Sequence, residues 1–120
     1  AARPNGAAWE TLCSASGLGS HYLYTPGQDT DFSARMFAPG EGIPEDPATG
    51  SASAIFAAQL LASGALGPGE SRLVLEQGID MGRPSRIGLR IQTTDGALDT
   101  IHVQGSSVRI GAGRILPPAA

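Results

Sequence analysis

The residues of this chain best suited to chemistry lie in one stretch. Glu41, Glu45 and Asp46 put three carboxylates into a proline-rich loop that runs into Thr49-Gly50-Ser51 and the longest apolar segment of the sequence. A helix that starts here exposes unpaired backbone N–H groups and the positive end of its macrodipole, a combination that holds anions. Gly50 lets a ligand come close to the backbone, and the Thr49 and Ser51 hydroxyls can cap the helix or donate to that ligand. A small carboxylate-bearing substrate would then sit on the N–H groups of Gly50 and Ser51. Asp46 would face it as proton donor, proton acceptor or positioning group. The same residues also fit a plainer role, with Thr49 or Ser51 as the cap, Glu45 and Asp46 complementing the dipole, and the prolines stiffening a loop.

The elements that must position this loop follow from periodicity. Residues 49–63 read as a helix closed by Gly64, a good residue just past a helix end. Polar groups occur only at Ser51, Ser53, Gln59 and Ser63, and a helix apolar nearly all round is expected to be buried nearly all round. Strands are expected at 21–25, 34–38, around Leu73 and Leu75, at 86–92 and at 98–104, with Val108 and Ile110 continuing the pattern. Ile87, Leu89 and Ile91 mark the inward face of the clearest one, and Asp95-Gly96 is a tight-turn signal between two strands. Gly105 and Gly111 read as further reversals. The loop 39–47 holds three prolines and two glycines and is expected to carry no regular structure. Residues 7–15 suggest a short helix or the end of one, 1–16 are otherwise weakly defined, and 117–120 read as a tail. The fold class is α+β: six or seven short antiparallel strands in a strongly curled sheet or barrel wrapped around one central helix.

Composition narrows the function. The 120 residues are 41% hydrophobic and 16% charged, which suits one domain. Eleven acidic residues against eight arginines give a net charge of −3, and 5% aromatic content offers few stacking platforms, so nucleic acid is an unsuitable partner. The apolar run 52–62 is about half the ~20 residues that cross a bilayer, so no membrane partner is expected. A single cysteine, Cys13, excludes an internal disulfide framework and fits a reducing, cytoplasmic setting; it reads as a small buried hydrophobe. No Lys follows the glycines of Gly50-Ser51, which excludes a phosphate loop, and Gly50-Ser51-Ala52 lacks a serine-hydrolase elbow. His21 and His102 fall within strands without partners at metal spacing, so no metal site is expected. Arg83 either pairs with Glu45 or Asp46 to orient the loop or is a surface arginine.

The loop resembles the signature of the PhzF-like family of phenazine-biosynthesis isomerases. The run Met36-Phe37-Ala38-Pro39, then Gly42-Ile43, then Glu45-Asp46-Pro47-Ala48-Thr49-Gly50-Ser51-Ala52 is matched in order, and Gln77-Gly78 with Met81-Gly82-Arg83-Pro84-Ser85 resembles a second family run. The resemblance covers residues 22–116. It implies a diaminopimelate-epimerase-like fold of two domains, with this chain as the C-terminal one and the active site in the cleft between them. It implies that Asp46 contacts the reacting part of a small carboxylate substrate and that Gly50 with Ser51 hold it; the residues themselves add Thr49 as a further donor to the substrate and Glu45 and Arg83 as supports of the loop. The chemistry implied is proton relocation without metal, nucleotide or redox cofactor, with the acid/base glutamate on the other domain. Related epimerases place a thiol just ahead of the Thr-Gly helix start; this chain has Asp46-Pro47 there, which argues against two-thiol chemistry. Three readings stand beside one another: half of an isomerase that partners an N-terminal domain of the same protein, an inactive fragment held folded by pairing with a second copy, and a small-carboxylate binding module.

Overall fold

The apolar segment folds as helix α2 (Gly50–Ala62), with Thr49 as N-cap and Gly64 left-handed at φ 74° just past its end. The computed structural model describes residues 3–116 and Pro118. In chain order the remaining elements are α1 (Gly6–Ser16), β1 (His21–Pro26), β2 (Phe32–Ala38), β3 (Ile43–Asp46), β4 (Gly69–Gln77), β5 (Ser85–Thr94) and β6 (Ala97–Gln104). Single 3-10 turns occupy Pro39–Glu41 and Ile79–Met81. The result is a mixed α+β architecture, with six strands and two helices among the described residues.

The sheet runs β1-β2-β4-β5-β6, with β3 attached to β2. Its pairings are antiparallel except one: β2 and β4 run parallel through Phe32↔Leu75, Ser33↔Glu76 and Ala34↔Gln77. That exception follows from connectivity, because β4 returns to β2 only after the chain has crossed over through α2. Strand β5 alternates as expected, with Ile87, Leu89, Ile91 and Thr93 buried. The β5–β6 hairpin turns on Asp95 (φ 51°) and Gly96 (φ 76°), the pair of left-handed residues that a two-residue hairpin loop requires.

The core joins one face of α2 to the inner face of the sheet: Phe56, Ala57 and Leu60 against Ala34, Leu75, Ile87, Leu89 and Ile91. Phe56 is ringed by Tyr24 (4.4 Å between centroids), Phe32 (4.9 Å) and Tyr22 (6.4 Å). Ser53 is fully buried on that face and fully satisfied. Its hydroxyl donates to the Thr49 carbonyl at 2.7 Å, and the Tyr22 phenol meets it at 3.0 Å. On the other side of the helix, Val103 of β6 lies 3.5 Å from where a Gly50 Cβ would be. The two end strands of the sheet, β1 and β6, therefore both reach α2.

Four expectations are corrected. The helix is not enclosed: Ser51, Ile55, Ala58, Gln59 and Ala62 form an open stripe at helical spacing, and Ile55 is 72% exposed. The apolar count misled because alanine serves on a wet or a dry face alike. The sheet is not wholly antiparallel. The loop at 39–47 is partly regular, because β3 is an edge strand that meets β2 only at Met36↔Asp46 and Ala38↔Ile43, and an edge tolerates Pro44. Finally, Val108 and Ile110 belong to no strand; residues 105–116 form no regular element. The helix expected at 7–15 is present as α1, capped when the Asn5 side chain accepts from the Ala8 N–H at 3.3 Å. Of the tail expected at 117–120, all but Pro118 lies outside the described residues. Among the described residues no helix is long and apolar enough to cross a membrane.

Two outcomes test this packing. Leu75→Ala removes a fully buried side chain and is expected to lower unfolding free energy by about 2–5 kcal/mol in a urea titration. Burial pushes the Tyr22 phenol above its ordinary value, with the Ser53 bond acting in the opposite sense. A group raised in the folded state stabilises fully below its unfolded pKa, ~10 for Tyr, and that contribution is lost as pH rises through the folded value. Stability should therefore fall above pH ~10, and Tyr22→Phe should flatten that fall.

Candidate active site

The loop between β3 and α2 is built around one buried amide. Gln77, the last residue of β4, is fully buried. Its Oε1 accepts from the Thr49 N–H at 3.2 Å, and its Nε2 donates to the Asp46 carbonyl at 2.7 Å and to Thr49 Oγ1 at 2.9 Å. With its acceptor side used by Gln77, the Thr49 hydroxyl directs its own proton to Asp46 Oδ2 at 2.6 Å. The chain Gln77–Thr49–Asp46 thus has a defined polarity and ends on a half-buried carboxylate beside the start of α2.

Thr49 occupies the N-cap position, yet its side chain makes no capping bond. The first intrahelical bond runs from the Ser53 N–H to the Thr49 carbonyl at 3.1 Å. The N–H groups of Gly50, Ser51 and Ala52 consequently have no protein acceptor among the described residues. The hydroxyl that ordinarily covers such donors is turned to Asp46 instead, leaving the electropositive helix tip available. Ser51 is exposed. With Ala52 it borders a groove of about 510 Å³ along the open side of α2; Asp46, Thr49 and Gly50 do not line it.

Glu45 and Asp46, as neighbours on a strand, point to opposite faces. Glu45 turns away from the helix tip and forms a two-pronged ion pair with Arg35 on β2, at 2.8 and 2.9 Å. Arg35 also bridges to Asp80 at 2.7 Å and stacks over Phe37 at 4.8 Å. The bond to Glu45 is the main reason its guanidinium is held above the ordinary arginine pKa. Of the two readings of Arg83 the structure supports the second, since the partner of Glu45 is Arg35, across the β2–β3 pair. Arg83 is exposed and contributes through its backbone, its N–H donating to the Gly78 carbonyl at 3.0 Å. Glu41 is exposed in the turn before β3. His21 and His102 lie in β1 and β6 as expected, His21 edge-on to Trp9 at 5.0 Å.

Gly78 fixes the second half of the arrangement. At φ 78° it follows Gln77, and a Cβ there would overlap the Arg83 carbonyl and come within 2.9 Å of the Pro47 carbonyl. Two stretches far apart in sequence, Glu45–Thr49 and Gln77–Asp80, are therefore held together by the Gln77 amide, by the Arg35 bridge between Glu45 and Asp80, and by close backbone contact at Gly78. The sequence reading missed Arg35 and Asp80 and gave Gln77 no role. The available signal was a polar residue that follows Leu73 and Leu75 at the inward end of the strand and precedes a glycine.

The chain has relatives among known proteins. The sequence matches the family model for phenazine biosynthesis-like proteins (PhzC-PhzF) over residues 1–113, and the chain belongs to that family. It is 39% identical over 114 residues to an uncharacterized isomerase of Mesorhizobium japonicum, an alignment covering 90% of this chain and 38% of that protein. It is also 37% identical over 83 residues to the trans-2,3-dihydro-3-hydroxyanthranilate isomerase of Pseudomonas chlororaphis, covering 69% of this chain and 30% of that one. The chain thus spans well under half the length of these relatives. In fold it is similar to the crystal structure of a PhzF-family phenazine biosynthesis protein from Bacillus anthracis. That match has TM-score 0.63 and 18% identity, and covers 85% of this chain and 40% of the other.

The clamp can be tested apart from any activity. Gln77→Leu keeps the volume but strands the Thr49 N–H and the Asp46 carbonyl, and should cost about 2–4 kcal/mol in urea unfolding. A loss under ~0.5 kcal/mol, the scatter of a neutral surface change, would deny the amide its structural role. Gly78→Ala should fail to give a stable fold, since backbone rather than a flexible side chain meets the added carbon.

Proposed function

We propose that this chain is the C-terminal lobe of a PhzF-like isomerase. In this reading it supplies the anion-holding side of an active site that an N-terminal domain of the same protein completes. The observation that carries the reading is the uncapped first turn of α2 beside Asp46: free N–H donors at Gly50 and Ser51, next to a carboxylate oriented by Thr49 and Gln77. A small substrate carboxylate accepts from those donors. Asp46 then lies against the neighbouring part of the substrate, where a proton leaves one carbon and returns to another. The acid/base glutamate belongs to the other domain, and the reaction needs no metal, nucleotide or redox group. The two lobes would share a diaminopimelate-epimerase-like plan, each with a central helix in a curled sheet. The relatives named as isomerases and their greater length support this reading.

The experiment uses the two-domain protein in deuterium oxide with a candidate dihydro-hydroxyanthranilate, following deuterium entry into carbon. Asp46→Asn should slow that exchange by about 10²-fold or more, the usual scale for a group acting on a moving proton. Wild-type exchange in Asp46→Asn would remove Asp46 from the chemistry. Binding without exchange in the wild-type protein would favour a carboxylate-binding module.

A second variant addresses the donors. Gly50→Pro deletes one N–H at the first helical position, where proline is well tolerated, and Thr49 before it is already extended (φ −112°, ψ 91°). It should raise KM for the carboxylate substrate at least ten-fold with the melting temperature nearly unchanged. An unchanged KM would place the carboxylate elsewhere.

A further inference from the structure

We infer that the outer face of the sheet carries a phosphate-binding site, centred on Arg90 of β5 and completed by Thr100 and His102 of β6. The inference is independent of the proposed activity, because these residues lie on the side of β5 opposite the one packed against α2.

The observation behind it is a cation without a counter-charge. Strand β5 buries Ile87, Leu89, Ile91 and Thr93, so Arg86, Arg90 and Gln92 point to the other face. The register sets Arg72 of β4 directly opposite Arg90 on one side and His102 of β6 directly opposite it on the other. Directly opposed residues share a face, with about 4.8 Å between strands, so three basic side chains form a row across the sheet. Glu70 is the acid beside this row, and it is committed to Arg72, whose Nε and Nη2 both reach its Oε1 at 2.8 Å. Arg86, on the same face, sits opposite Glu76 and meets the Asp29 carbonyl at 3.5 Å. Arg90 has no such partner. Among the described residues no ion pair reaches it, and its Nε is buried without an acceptor. A buried donor on a charged group has lost its water and calls for an acceptor, which the fold itself does not supply.

The place offers both room and donors. Arg90, Gln92, Thr100, His102 and Glu70 line a pocket of about 150 Å³. That is below the ~300–1,000 Å³ of sites for drug-sized ligands and suits one small anion. Arg90 presents its guanidinium, Thr100 a hydroxyl, and His102 at least one ring N–H in either protonation state. These donors come from two strands and differ in direction. A tetrahedral oxyanion accepts from several directions at once and takes a guanidinium two-pronged, whereas a carboxylate accepts within one plane. The net charge of −3, with Glu70 at the rim, opposes approach to an anionic membrane. The ligand is therefore soluble: inorganic phosphate or the phosphate end of a small metabolite.

The test is a titration of the longest natural form of the protein with inorganic phosphate at constant ionic strength. It follows the Arg90 Nε–H signal by 1H–15N spectroscopy, assigned through Arg90→Lys. A saturable shift of that signal, with the Thr100 and His102 amides on the same isotherm, is expected; a linear drift that chloride reproduces overturns the inference. Acetate should bind at least three-fold more weakly, and equal affinity would make this a carboxylate site instead. Phosphatidylcholine vesicles carrying phosphatidate should leave the signal in place; a response to them and not to free phosphate assigns the face to a lipid headgroup and overturns the proposal. Arg90→Gln should weaken phosphate binding at least ten-fold, with the melting temperature unchanged or raised because a row of like charges is relieved. Glu70→Gln removes a competing carboxylate and should tighten binding at least three-fold. Wild-type affinity in either variant would place the anion elsewhere, so the second decides the matter even if the first fails to fold.

Discussion

A buried side-chain amide needs partners for one acceptor oxygen and two donor hydrogens, and at Gln77 all of them come from a single short stretch of chain. Because the residue is fully buried, water cannot substitute for those partners, so the Asp46 carbonyl, the Thr49 N–H and the Thr49 hydroxyl must stay where they are. Everything distinctive about the region follows from that constraint. The Thr49 hydroxyl is occupied from below and must donate upward to Asp46. Having done so, it no longer caps the helix, and the first-turn donors of α2 stay open. The same amide that stabilises the loop thereby orients the acid and leaves the electropositive helix end free for an anion.

The fold delivers Gln77 to this point through its least expected feature, the parallel pairing of β2 with β4. Ala34↔Gln77 is the last step of that ladder, and from β2 the chain continues to Met36, paired with Asp46 on β3. Strand β2 is therefore shared by both halves of the site: β4 and then β3 follow one another along one of its edges, and β1 covers the other. Arg35 reinforces this from the opposite face by joining Glu45 to Asp80. Glu45 and Asp46 are adjacent in sequence but serve different ends, since Glu45 locks the loop to the sheet while Asp46 faces the helix tip.

Much of this was legible in the sequence. Alternation at Ile87, Leu89 and Ile91 located β5 and its inward face, and Asp95-Gly96 located the hairpin, because both signals are local. Helix α2 was legible in extent for the same reason, but not in burial. Its dry stripe (Ser53, Phe56, Ala57, Leu60) contains a serine and its wet stripe contains an isoleucine, so polarity alone inverts part of the answer. The motif residues 45–51 were found as a group, and the structure does gather Asp46, Thr49 and Gly50 at one place. What sequence could not supply was pairing at a distance. Which arginine meets Glu45 depends on the register of β2 against β3, and that register is a tertiary fact. The role of Gln77 likewise depends on a crossover connection of which no local pattern gives notice.

The central claim is that the open end of α2 beside Asp46 receives a carboxylate. The most direct measurement is a 1H–15N titration of the two-domain protein with benzoate as the carboxylate probe. Saturable downfield shifts of the Gly50 and Ser51 amide protons, carried by the same isotherm as a shift at Thr49, are the expected result. Saturation with those amides unmoved, or shifts confined to the groove around Ile55, would contradict it.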